Sequence, residues 1–139
     1  MFLLDTNVVS EPAQAVSNPR VIAWIARQNP ESLYISAITV AEVEQGIAAM
    51  QPSHRRRRLE AWRDEMLESM EDRIVQVDTV IGQTWGRLRA RLAASGASIE
   101  PLDGFLAATA EAAGLTLVTR NVKHFTAWGG PLLNPWTDG

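Results

Sequence analysis

Met1-Phe2-Leu3-Leu4-Asp5-Thr6-Asn7 is the stretch from which the fold can be read. Phe2, Leu3 and Leu4 form an apolar run without polar alternation, the pattern of a central strand covered on both faces. The run stops at an acid followed by two small polar residues, so Asp5 stands where a strand leaves a sheet. In an open parallel sheet, ligands bind in the crevice beyond the carboxyl ends of the strands. That rule places Asp5 at the expected site before any other residue is considered.

Downstream, strands alternate with helices. Leu33-Tyr34-Ile35-Ser36 reads as a second strand, Ile74 to Asp78 as a third, Leu115 to Thr119 as a fourth, and Leu132-Leu133 as a short edge strand. Asn18 can cap a helix with Pro19 at its first position and Val21, Trp24 and Ile25 on one face; Pro30 closes it. Ser36 to Thr39 leads into a helix with Val40, Val43, Ile47 and Met50 apolar. Glu42, Gly46 and Ala49 lie along another face of that helix, where the small residues permit close approach. Leu59, Trp62, Met66 and Met70 form the stripe of a helix running from about Ser53 to Ser69. Asp78 or Thr79 caps a long helix with Ile81, Trp85, Leu88 and Leu92 on its core face and Gly96 as its stop. Pro101 starts the last long helix, lined by Leu102, Phe105, Leu106 and Thr109 and capped by Gly114. The alternation predicts one α/β domain over residues 1–139, a three-layer α/β/α sandwich with a mostly parallel central sheet.

With 139 residues, 46% of them hydrophobic, the chain can fill one core. Cysteine is absent, which excludes a disulfide framework, a thiolate metal site and a cysteine nucleophile, and fits a reducing cytoplasm. Asp5 interrupts the N-terminal apolar run too early for a signal peptide, and no later run approaches a membrane span. A soluble, cytoplasmic protein without a membrane partner is expected. The net charge of −3 argues against a protein that coats nucleic acid but leaves room for a local basic patch. No nucleotide-binding glycine loop or serine nucleophile elbow is present.

In a parallel α/β sheet, strand C-termini and helix N-termini share one edge. Asp5 ends the first strand, Glu42 falls in the first turn of the helix after the second, Asp103 in the first turn of the helix before the fourth, and Asn121 follows the fourth. Three acids in one pocket repel, so they take up protons or recruit a cation. Oxygen-only donors suit Mg²⁺ or Mn²⁺, and two histidines without cysteine argue against zinc. Such a cluster supports phosphodiester hydrolysis by a metal-activated water, with a second ion about 3.5 to 4 Å away able to stabilise the leaving oxygen. Each residue also fits an ordinary structural role. Asp5 can cap a turn, Thr39-Val40-Ala41-Glu42 has capping-box spacing, Asp103 complements a helix dipole, and Asn121 suits a turn needing a left-handed residue. Their coincidence on one edge is what favours a site. Two other functions fit the same acids. An aspartyl phosphatase or phosphotransferase would use Asp5 as nucleophile, but its commonest pattern wants an acid where Asn7 stands. A non-catalytic module would accept a partner's arginine in the acidic pocket.

The segments Leu3 to Pro12, Ile35 to Glu42, Asp103 to Ala110, Val118 to Phe125 and Asn134-Pro135-Trp136, in this order, resemble a PIN-domain ribonuclease, with the closest likeness to the VapC and FitB type toxins of bacterial toxin–antitoxin modules. The resemblance implies a PIN-like fold and a Mg²⁺- or Mn²⁺-dependent endoribonuclease acting on RNA. It also implies a homodimer held inactive by a cognate antitoxin. Carried over by position, Asp5, Glu42 and Asp103 are the acidic metal ligands, while Thr6 and Asn7 shape the first strand's exit. The family's fourth acidic position falls on Asn121, whose amide can coordinate a cation or orient a water but adds no charge. His124 stands where many relatives carry another acid, and it fits an exposed turn.

Arg55-Arg56-Arg57-Arg58, with Arg63, Arg87, Arg89 and Arg91, can supply phosphate contacts. Four successive arginines point all round a helix, however, and Arg56 can pair with Glu60, so a solvated face is an equal expectation. The five tryptophans fall on or beside helical apolar stripes and are expected in the core or at a dimer contact rather than as base-stacking platforms.

Overall fold

Strand β1, Phe2–Leu4, occupies the centre of the sheet, as its uninterrupted apolar run predicts. The structure is a computed structural model that describes residues 1–138. Within them the sheet has strand order β3-β2-β1-β4-β5, with β2 at Leu33–Ser36, β3 at Ile74–Val75, β4 at Thr116–Val118 and β5 at Leu132–Leu133. Every pairing is parallel. Leu3 lies opposite Tyr34 on one side and Leu117 on the other, which fixes the register of the three central strands.

The helices are α1 (Thr6–Val9), α2 (Pro19–Arg27), α3 (Ala37–Ala48), α4 (His54–Ser69), α5 (Thr79–Ala94), α6 (Pro101–Ala113) and α7 (Val122–Phe125). Successive strand residues point to opposite faces, and this divides the apolar side chains into two cores. Leu3 and Leu117 pack with Trp85, Leu88 and Leu106 of α5 and α6. Leu4, Ile35 and Val118 pack with Val8, Trp24, Val43 and Met66 of α1 to α4. The result is the expected three-layer sandwich. Leu3, Leu106 and Leu117 are almost wholly buried, and each such side chain stabilises the fold by roughly 1.5 to 3 kcal/mol.

Local signals hold at several boundaries. Asn18 caps α2 through Arg20 N–H, Asp78 caps α5 through Ile81 N–H, and Gly96 and Gly114 take the left-handed conformation after α5 and α6. Trp24, Trp85 and Trp128 are core residues; Trp62 and Trp136 are half-buried at its margin.

Other expectations need correction. β3 stops at Val75 rather than Asp78, because Gln76 and Val77 are exposed at the sheet's edge with no neighbour to pair with. α3 starts at Ala37, so Glu42 lies in its second turn. Its cap is Ser36, whose hydroxyl accepts from Ile38 N–H at 3.0 Å, and Thr39-Val40-Ala41-Glu42 is not a capping box. Gly46 faces open space, so no close approach within the chain uses it. Asn121 has φ −92°, and its turn needs no left-handed residue.

Close approach occurs instead at Gly104, where an added Cβ would stand 2.3 Å from the Trp85 ring. This glycine lets α5 lie against α6 directly beside Asp103.

Candidate active site

Asp5 ends β1 and caps α1, which is the ordinary role expected of it. Its Oδ1 accepts from Thr6 N–H at 2.7 Å and its Oδ2 from the Thr119 hydroxyl at 2.8 Å. Thr119 is fully buried at the exit of β4, the strand beside β1. Asp5 N–H donates to Val118 C=O at 2.9 Å, which ties the two exits together. Only 7% of Asp5 is exposed, and this burial raises its pKa above the ordinary carboxylate value. The bonds from Thr119 and Thr6 oppose that rise, and the charge of Asp103 adds to it.

Glu42 reaches the same place from α3. Its Oε1 accepts from the Thr6 hydroxyl at 2.8 Å. Burial again raises its pKa, with further upward pushes from Asp5 and Asp103 and a downward pull from the Thr6 bond. Position along α3 explains how a second-turn residue arrives here: α1 packs against α3, bringing Thr6 to Glu42.

Asp103 stands in the first turn of α6, as expected. Its Oδ2 lies 3.3 Å from His124 Nδ1. Burial raises its pKa, and His124 lowers it. The expectation of an exposed turn histidine is thus half met, since His124 is 58% exposed yet it is an acid's partner.

Asn121 is exposed at the exit of β4; its backbone N–H donates to Thr119 Oγ1 at 3.0 Å, and its side chain makes no hydrogen bond among the described residues. The three acids therefore share one electrostatic environment, from which Asn121 adds no charge.

Among the described residues no three acidic or histidine side chains stand at mutual ligand distance. An ion gripped by one or two carboxylates and completed by water and substrate oxygens, as Mg²⁺ commonly is, needs no tighter cage. The donor set is all oxygen, acidic and partly desolvated, which fits a hard divalent cation. Thr119 is the residue that sequence reasoning missed. Its signal was a small hydroxyl at the end of an apolar strand, meaningful only once β4 is known to lie beside β1.

A larger apolar groove of about 850 Å³ opens on the other core, lined by Leu4, Ile25, Leu33, Trp62, Met66 and Met70 among others. None of Asp5, Glu42 and Asp103 lines this groove. The basic run starts α4, where Arg56 pairs with Glu60 at 3.7 Å and donates to Met50 C=O. Arg63 bonds Glu44 and Asp64. The solvated-face reading therefore holds for Arg56 and Arg63. No helix among the described residues is long and apolar enough to cross a membrane.

The PIN domain family profile matches residues 2–127. The chain belongs to the PIN-domain family. This PIN domain is 41% identical to "VapC ribonuclease Y4jK" of Sinorhizobium fredii over 98% of both chains. Its structure superposes on that of FitAcB from Neisseria gonorrhoeae with a TM-score of 0.93, 36% identity and 99% of each chain covered. A TM-score of 0.64 at 26% identity, over 95% of this PIN domain and 96% of the other chain, relates it to VapBC-5 of Mycobacterium tuberculosis, a member of the VapBC family of toxin–antitoxin systems.

Proposed function

We propose that this PIN domain is the toxin of a toxin–antitoxin module and a divalent-metal-dependent endoribonuclease. The observation that carries the reading is the electrostatic coupling of Asp5, Glu42 and Asp103, which come from three different elements at the carboxyl edge of the sheet and each have a raised pKa. The names of the relatives support the ribonuclease and toxin parts.

Asp5, Glu42 and Asp103 would hold Mg²⁺ or Mn²⁺, which supplies polarisation of the phosphodiester and a lowered pKa for an attacking water. The chain's own groups set the geometry. Thr119 and Thr6 N–H fix both oxygens of Asp5, and the Thr6 hydroxyl fixes one oxygen of Glu42, so neither carboxylate need reorganise during reaction. The remaining Glu42 Oε2 has no protein donor among the described residues, and its raised pKa suits it to receive the proton of the water. The water oxygen bonds to phosphorus as one P–O ester bond breaks, and solvent protonates the leaving oxygen.

The antitoxin is assigned to the apolar groove. An apolar segment of the antitoxin would lie over Leu4, Trp62 and Met66 there. A homodimer and an RNA substrate complete the proposal.

The test is incubation of antitoxin-free protein with total cellular RNA and Mg²⁺ or Mn²⁺, beside EDTA and Asp5→Asn controls. Discrete cuts that vanish in both controls are expected. Cleavage of equal strength by Asp5→Asn would overturn the site, and folded protein that binds antitoxin but never cleaves would be a binding module.

A further inference from the structure

We propose that Arg120 holds the RNA backbone beside the scissile phosphate, on a mount supplied by Trp136. The proposal rests on the nuclease reading and adds a substrate contact to it.

Arg120 follows Thr119, the donor to Asp5, and its own backbone N–H donates to Asn7 Oδ1 at 3.2 Å. Its main chain is therefore pinned between the exits of β1 and β4, one residue from the donor to Asp5. The guanidinium carbon lies 5.2 Å from the centre of the Trp136 ring. Trp136 is half-buried against the core that contains Leu4 and Val9, and its backbone N–H donates to Asn134 Oδ1 at 2.9 Å, so packing holds the ring and a hydrogen bond holds its main chain.

Several other arginines are already occupied, while Arg55, Arg58 and Arg87 have no ring beneath them among the described residues. Arg56, Arg63 and Arg73 have carboxylate partners, and Arg20 and Arg91 donate to backbone carbonyls. Arg89 also lies over an aromatic ring, but that ring is Trp85 of its own helix. Among the described residues the Arg120 guanidinium has neither a carboxylate nor a carbonyl partner, and the residue is exposed. Its neighbour Asn121 brings no charge to neutralise it.

A guanidinium resting on an aromatic face keeps its N–H edge free for phosphate and has already lost part of the side-chain freedom that binding would remove. The need for such a cation follows from the site itself. Three carboxylates repel a polyanion, and a fixed positive charge at their margin guides the strand in and sets its register.

The experiment uses a short fluorescein-labelled single-stranded RNA of mixed sequence and the full chain. In an Asp5→Asn background, Arg120→Ala should weaken binding about tenfold and make the log–log salt slope shallower by about 0.7, the loss of one single-strand phosphate contact. Arg120→Lys should keep the slope while losing part of the affinity, and Trp136→Leu, checked for folding by circular dichroism, should do the same. With the native Asp5, Arg120→Ala should raise the KM for cleavage. An unchanged slope and KM, from protein whose parent cleaves, overturns the contact and leaves the nuclease reading intact. Absence of RNA binding by the Asp5→Asn parent overturns it as well. Cleavage that survives Asp5→Asn strikes the nuclease reading instead, and does so independently of the salt slope.

Discussion

β1 and β4 are hydrogen-bonded neighbours that leave the sheet side by side, yet their exits have opposite character. Asp5 is a buried acid bonded at both oxygens, whereas Arg120 and Asn121 are exposed and carry no negative charge. Thr119 joins the two, since its hydroxyl donates to Asp5 while its oxygen accepts from Asn121 N–H. Under the proposed function one exit would hold a cation, and the other would meet an anion arriving from solvent. The difference teaches that one edge of a sheet need not be acidic throughout; adjacent strand exits differ in burial as much as in charge.

Removing the charge at the buried exit should have the largest effect. Asp5→Asn keeps the shape of the cap and should lower cleavage by about a hundredfold or more, since a positioned ligand is lost. Cleavage rates from a defined RNA, with circular dichroism to confirm the fold, check this.

Gly104→Ala tests whether the third acid depends on close helix packing. The new Cβ would collide with Trp85, so the variant should lose about 1 to 3 kcal/mol of stability in urea unfolding. Unchanged stability would mean that Trp85 moves aside freely.

Thr119→Val cuts the link between the two exits at constant shape. A hydrogen bond to a charged group contributes about 1.5 to 3 kcal/mol, part of which water can restore, so a loss of activity of about tenfold near neutral pH is expected. The Thr119 bond lowers the Asp5 pKa, so its removal raises that pKa further, and the acid limb of the pH–rate profile should move to higher pH. An unshifted limb would separate Asp5 from the titration that limits the rate.

The smallest effect concerns stability. Asp5 has a folded-state pKa above its unfolded value, so its proton stabilises the metal-free fold fully below the unfolded pKa, and that contribution is lost as pH rises through the raised value. In EDTA, the Tm of Asp5→Asn relative to the unsubstituted chain should therefore increase from acidic to neutral pH. A constant difference would show that burial does not penalise the carboxylate.

Much of the molecule was legible from local pattern. The apolar run of β1, the caps at Asn18 and Asp78, and the stops at Gly96 and Gly114 depend on residues within a few positions of one another. The placement of Asp5, Glu42 and Asp103 on one edge followed from alternation of strands and helices. The pattern misread Thr39-Val40-Ala41-Glu42, because capping-box spacing occurs inside a helix that Ser36 had already begun. It also read His124 as a turn residue, since its partner Asp103 is distant in the chain.

The sequence by itself determined the order of elements, the two apolar faces of each central strand and the edge on which the acids gather. All of these follow from short periodicities and from the rule that parallel strands alternate with helices. Only the tertiary structure decided that Thr119 bonds Asp5, that Thr6 bonds Glu42, that Gly104 admits Trp85 and that Trp136 carries Arg120. Those contacts join residues from different elements, and they exist because strand order and helix packing bring the elements together, which no local pattern encodes.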